Sequence, residues 1–372
     1  MTPKPPRWDP CVMHRPGQVT QFVEAHFGEA HRRVVLIAGA GFDPRTLILP
    51  RFLAEVLKER LRIVLLRERR PSPAASLLAQ AEANIRELSG LVPDVTLREV
   101  HVFAEDEAVV LGDNVLRAAR TLVLDGVTDV VVDWSALSIG GAFPLVKLLL
   151  ARSDRSSTPF NVHVMVVASS PLDHAITRLE GEGATIIRGY EGSLEKTAMK
   201  EAARLWVPQF RPGVGPQLET IYRFLTSKDR PPHEVMPILP FPAHNPRLPD
   251  MLLAEFFGKL KEWGVRQPDL AYAAEDDPLD LYRQLVRLYD LRERVFAPGR
   301  PSQVVLSPLG SKLLAVGAMM AAIERDMPVL YVEAPDFRAS PKAMDSRAYT
   351  RDDIVHLWLA GEAYPAREHQ PS

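Results

Sequence analysis

The chain has 372 residues, more than one hydrophobic core ordinarily serves, so two or three domains are expected and two is the simpler reading. With 46% hydrophobic and 25% charged residues it falls among folded globular chains and not among disordered ones. A formal net charge of −2 excludes a general attraction to nucleic acid or to an anionic membrane, and the single cysteine, Cys11, excludes an intramolecular disulfide and any multi-cysteine metal cluster.

Residues 1–30 form a Pro-rich leader with no long apolar run behind its basic residues, so no signal peptide is expected. No apolar stretch elsewhere reaches the ~18–20 residues of a membrane span. Together with the lone cysteine these features predict a cytoplasmic protein. Residues 34–38 then read as a buried strand that meets Gly39-Ala40-Gly41, after which the apolar spacing becomes helical over 46–58. A second strand is expected over 62–66, an amphipathic helix over 74–88, a third strand within 95–103 and a helix over 113–124. The β-branched run 129–133 leads through Ser135, Gly140 and Gly141 into a helix ending near 151, and 162–168 supplies another strand. Strands alternating with helices predict a mainly parallel sheet covered on both faces, a first Rossmann-like lobe over 31–190.

Residues 191–230 read as a mainly helical connection broken by Trp206-Val207-Pro208 and by the Pro/Gly segment 211–216. A second Rossmann-like lobe is expected over 231–345, with 346–372 as a tail packing on it. The two lobes look related by tandem internal duplication. Asp43-Pro44-Arg45 resembles Asn245-Pro246-Arg247 at an offset of 202, Leu53-Ala54-Glu55 matches Leu253-Ala254-Glu255 at 200, and Ala104-Glu105-Asp106 matches Ala274-Glu275-Asp276 at 170. The smaller offset assigns extra residues to the first lobe, around 71–91. Val131-Val132 parallels Val304-Val305, and the strand over 162–167 parallels that over 329–332.

Two loops are candidate ligand sites, because a doubly wound sheet binds beyond the carboxyl ends of its strands. In the first, Gly39 and Gly41 permit close backbone approach, Asp43 can cap the helix, and Arg45 offers a planar donor to phosphate or carboxylate. The third glycine of a dinucleotide fingerprint is missing, so no NAD is expected. In the alternative, Asp43 and Pro44 start the helix and Arg45 pairs with a neighbouring carboxylate. In the second loop, Gly310, Ser311 and Lys312 lie between a buried strand and a helix, where amides, hydroxyl and ammonium can hold an anion. The alternative there is Ser311 as a helix cap and Lys312 as a solvated first-turn lysine. The spacing is not that of a Walker loop.

Strand, Gly310-Ser311-Lys312, an Ala/Met/Leu-rich helix and Val329-Leu330-Tyr331-Val332 resemble the C-terminal part of CRISPR-associated Rossmann-fold (CARF) sensor domains. The tandem arrangement resembles the SAVED sensors built from two CARF-like units. Leu309 stands where that family has a glycine. The resemblance implies that Gly310, Ser311 and Lys312 contact a cyclic oligonucleotide, that the Gly39–Arg45 turn faces the same cleft, and that the protein acts in prokaryotic antiviral defence on a separate effector.

No metal site or cofactor is expected, and no residue is assigned a catalytic role. The acidic runs at Glu105 and Glu275 read as helix starts, and Asp133-Trp134-Ser135 lacks a nucleophile elbow and a histidine partner. The leading expectation is a sensor that binds a nucleotide-derived or other phosphorylated small molecule between two lobes and signals to a protein partner. An enzyme acting on such a molecule and a ligand-independent interaction subunit are the alternatives.

Overall fold

A computed structural model describes residues 5–179, 181, 183–192, 202–226, 234–296, 301–339 and 349–364. In chain order its strands are β1 Val12–His14, β2 Val34–Gly39, β3 Leu61–Arg69, β4 Val95–His101, β5 Asp129–Asp133, β6 Asn161–Val167, β7 Ile176–Arg178, β8 Thr185–Ile186, β9 Ala203–Pro208, β10 Glu234–Val235, β11 Ile238–Pro240, β12 Ala271–Ala273, β13 Ser302–Ser307, β14 Leu330–Tyr331, β15 Phe337–Ala339 and β16 Ile354–Ala360. The helices are α1 Val19–Phe22, α2 Ile48–Leu57, α3 Ala75–Leu88, α4 Leu111–Arg120, α5 Ile139–Arg155, α6 Ser170–Ala175, α7 Gly215–Leu225, α8 Leu248–Glu262, α9 Pro278–Phe296 and α10 Lys312–Arg325. The chain divides into a first unit, Pro10–Ser169 with Asp336–Ser372, and a second unit, Met1–Asp9 with Ser170–Pro335.

The first unit is built on a seven-stranded sheet of order β1-β16-β6-β5-β2-β3-β4. β6, β5, β2, β3 and β4 are mutually parallel, and β16 runs antiparallel to β6. β2, β5 and β6 are buried at every residue, which is why they read as continuous apolar runs and not as alternating ones. One face carries the core of Leu36, Leu49, Leu53, Leu65, Ile85 and Val131. β4, at the edge, is mostly exposed and buries only Val100.

In the second unit β10, β9 and β13 form a parallel ribbon, and β11 pairs in parallel with β12. Single parallel bridges, Gln209 to Ile238 and Leu306 to Val329, join these pieces to each other and to β14, whose other neighbour is the antiparallel β8. The order is therefore β12-β11-β9-β13-β14. Five parallel strands in the order third, second, first, fourth, fifth, flanked by an antiparallel strand, describe each unit separately. α10 in this unit is buried along most of its length, and Gly317 lets it approach α9 so closely that a Cβ there would lie 2.3 Å from the carbonyl oxygen of Pro278.

Three element assignments differ from the sequence reading. The expected helical connection contains β9, the central first strand of the second unit's sheet, and among its described residues only 215–225 is helical; 193–201 and 227–233 lie outside the described residues. The expected tail contributes β16 to the first unit's sheet, and the leader contributes β1, α1 and the π-helical turn Val23–Phe27. Two of the five matched landmarks also fall on unlike elements. Asp43 follows the first strand of its sheet whereas Asn245 follows the second of its own, and Leu53 lies in α2 whereas Leu253 lies in α8. The other three fall on corresponding elements.

Candidate functional site

In a sheet of this order the chain diverges between its first and fourth strands, and their carboxyl ends are where doubly wound folds open a ligand crevice. In the first unit that point lies between Gly39 and Asp133. Here Gly39 accommodates protein backbone: a Cβ would sit 2.8 Å from the carbonyl carbon of Ala136. Gly41 faces open space, and its carbonyl accepts from Asn84 Nδ2. Asp43 and Arg45 are turned on each other. Asp43 Oδ1 accepts from the Arg45 amide at 2.9 Å and from its Nε at 3.0 Å, while Oδ2 meets Nη2 at 2.8 Å. Arg45, 1% exposed, also reaches the carbonyl of Val167 at the end of β6. This is the geometry of the alternative reading, a capped turn holding its own arginine. Ser135, fully buried, accepts from the Val167 amide and is spent on structure.

In the second unit the corresponding loops are 209–214 and 308–311. Gly310 donates its amide to Gln209 Oε1, and a Cβ would come within 2.8 Å of that oxygen. Ser311 caps α10 by accepting from the Leu314 amide, and its hydroxyl donates to the carbonyl of Glu275. Lys312, half-buried, opens the helix. Arg211 sits after β9 much as Arg45 sits after β2, donating to the carbonyls of Leu309 and Asp173. Burial, with Arg178 adding to it, pushes its pKa down to about 10. Thus Gly39–Arg45 come together in one unit and Gly310–Lys312 in the other, each forming the turn that closes a strand.

A cavity of about 320 Å³ lies beside the start of α7, the helix that follows the first strand of the second unit. Gly181, Gly215, Pro216, Gln217, Glu219, Thr220, Arg223 and Lys259 line it. Val214 stands at the helix N-cap without a capping side chain. The Oε1 of Gln217, a residue 5% exposed, has no hydrogen-bond partner. Lys259 Nζ and Arg223 Nε both face the Glu219 carboxylate, at 2.6 and 3.6 Å. Two cations against one carboxylate leave the lining with a net positive charge.

A buried polar cluster not foreseen from the sequence lies at the opposite ends of the first unit's strands. Asp129 opens β5, its register partner Asn161 opens β6, and His163 follows two residues on, so all three point to one face. His356 on β16 and His14, its cross-strand partner on β1, extend the row, and His26 enters from the π-helical turn. Asp129 Oδ1 receives His26 Nε2 at 2.9 Å, His163 Nε2 at 3.1 Å and Asn161 Nδ2 at 2.8 Å, while Oδ2 receives Thr128 Oγ1 at 2.6 Å. His163 Nδ1 meets His356 Nε2 at 2.9 Å, and His356 Nδ1 meets His14 Nδ1 at 2.9 Å. An ionised carboxylate only accepts, which requires Nε2–H on His163 and orients each imidazole N–H along the row toward Asp129. Phe22 stacks on His356 and His14, and Trp358 meets His26 edge-on.

Burial alone would raise the Asp129 pKa, but hydrogen bonds from His163 and His26 hold it far below the usual carboxylate range. Burial pushes His163 down despite its neighbouring carboxylate, and pushes His356 down further because the other imidazoles oppose its charge. A histidine at a core-facing position of an apolar strand was the available sequence signal. It becomes decisive only once β16 is known to lie beside β6.

No protein-family model and no curated protein sequence matches the chain. Among solved structures it is similar to a functionally unknown protein from Pseudomonas aeruginosa PAO1, at 11% identity over 84% of this chain and 95% of the other, with a TM-score of 0.22. So weak a superposition says nothing about what this chain does.

Proposed function

We propose that this protein senses a small anionic ligand, a nucleotide-derived or other phosphorylated molecule, and passes the signal to a separate protein partner. The observation that carries this reading is the cavity at the start of α7. It adjoins the uncapped N-terminus of the helix after the first strand, where doubly wound folds hold phosphate, and its lining adds the cations Lys259 and Arg223. An entering anion would compete with Glu219 for the two cations. A volume of about 320 Å³ lies at the small end of ligand pockets. Binding without turnover is supported by the carboxyl-edge loops, where Asp43 and Arg45 are engaged with each other and the Ser135 hydroxyl with the Val167 amide.

We also infer that the two units descend from a tandem duplication. Their parallel strands share one order, and counterparts keep similar spacing: Val34 and Ala203 are 169 apart, Leu61 and Ile238 177, Asp129 and Ser302 173, Asn161 and Leu330 169. A buried arginine after each first strand adds to this. The antiviral role rests on the CARF and SAVED resemblance alone.

Isothermal titration against mononucleotides and cyclic oligonucleotides tests the sensor. The expected result is one ligand per chain, bound at least ~10-fold more weakly by Lys259→Met, each ~1.4 kcal/mol being tenfold, with no product on chromatography. Silence across the panel, or binding indifferent to Lys259→Met and Arg223→Met, would sink it. Conversion of the ligand would identify an enzyme instead.

A further inference from the structure

We propose that His26, Asp129 and His163 in the first unit form a binding site for one divalent first-row transition-metal ion of the zinc class. Three donor atoms converge, His26 Nε2, His163 Nε2 and an Asp129 oxygen, all within 4.8 Å of one another. The two nitrogens lie 2.9 and 3.1 Å from the same Oδ1. Donors around tetrahedral zinc, each about 2.0–2.1 Å from the ion, are themselves about 3.3 Å apart, close to the two nitrogen–oxygen separations here. Two imidazoles and one carboxylate are a donor set this ion class takes up, with positions left for water or ligand.

What surrounds the triad is what ligating groups require. Asn161 and Thr128 fix the Asp129 carboxylate, and His163 is held through Nδ1 by His356, which is held in turn by His14. The row can reverse its polarity without changing its proton count. When Nε2 of His163 takes the ion, its proton is carried on Nδ1 and donated to His356. His356 then donates from Nδ1 to His14, and half-exposed His14 carries its proton on Nε2. Each imidazole keeps one proton, and His26 changes tautomer through solvent, to which 11% of its side chain is exposed. Arg32 lies 3.7 Å from the second Asp129 oxygen and is itself held by Glu362 and Glu29. His26 also sits on a π-helical turn, an irregularity that recurs at functional sites.

The test uses the whole chain after dialysis against a chelator. Zinc is titrated calorimetrically, stoichiometry is read by native mass spectrometry, and cobalt is added to read its visible absorption. One ion per chain, a raised unfolding midpoint and a cobalt spectrum are expected. His26→Gln, the least buried change, should weaken zinc binding at least ~10-fold, as loss of a ligand or its support does, and abolish the cobalt bands while circular dichroism stays native. His244→Gln, an exposed histidine elsewhere, should change nothing. Absence of stoichiometric zinc and cobalt uptake at micromolar concentration overturns the site, as does uptake that His26→Gln leaves intact. The site shares no residue with the α7 cavity, so either proposal can fail without the other.

Discussion

Two imidazoles buried without charge set how the first unit meets acid. His163 and His356 are pushed below their ordinary value of 6.5 in the folded chain, so below that pH the unfolded chain binds protons the folded one does not. Stability is therefore complete above about pH 6.5 and is lost as pH falls, by up to ~1.4 kcal/mol per pH unit for each imidazole. Asp129, depressed by its donors, acts in the same direction lower down: its contribution is present above its ordinary 3.8 and is lost as pH falls below it. Urea unfolding at pH 7, 6 and 5 should show the midpoint falling. His356→Gln, which removes one titrating imidazole, should flatten that fall while lowering the midpoint at pH 7. A slope unchanged by His356→Gln would refute the assignment.

At the scale of elements, packing overrides local preference. Gly317 lies inside α10, where alanine would ordinarily gain about 1 kcal/mol of helix propensity. A Cβ there would meet the Pro278 carbonyl oxygen at 2.3 Å and Leu281 Cβ at 3.3 Å, so α9 would have to move. Gly317→Ala is expected to destabilise by about 1–3 kcal/mol, the cost of overpacking a tight core; equilibrium denaturation with an unchanged or raised midpoint would contradict this. The same tension explains which elements were legible. β2, β5, β6 and β13 announce themselves as apolar β-branched runs, and α5 and α10 follow from the helical spacing after them. β9 did not, because its run Ala203–Pro208 is interrupted by Arg204 and follows a helix-favouring composition. Two of the matched landmarks accordingly follow the first strand in one unit and the second strand in the other, at offsets near 200.

For the molecule as a whole, each unit has its own parallel sheet and its own buried residues. Cores separated in this way unfold as separate cooperative steps. Calorimetry should resolve two transitions, with His356→Gln shifting one and Gly317→Ala the other; a single transition moved equally by both would show one cooperative block. Both candidate loops do follow strands, β2 and β13, since strand ends and glycines mark where a parallel sheet turns. What their side chains do was not legible: Asp43 and Arg45 find each other two residues apart, Gly39 yields to the backbone at Ala136, and Gly310 to Gln209. The sequence by itself determined an α/β chain with mainly parallel strands, because hydrophobic periodicity is local and survives in one dimension. Tertiary structure alone decided that β16 lies beside β6 and that His14, His26, His163 and His356 gather around Asp129. Those five residues span 343 positions, from 14 to 356, and only strand pairing across that separation gives a lone histidine a partner.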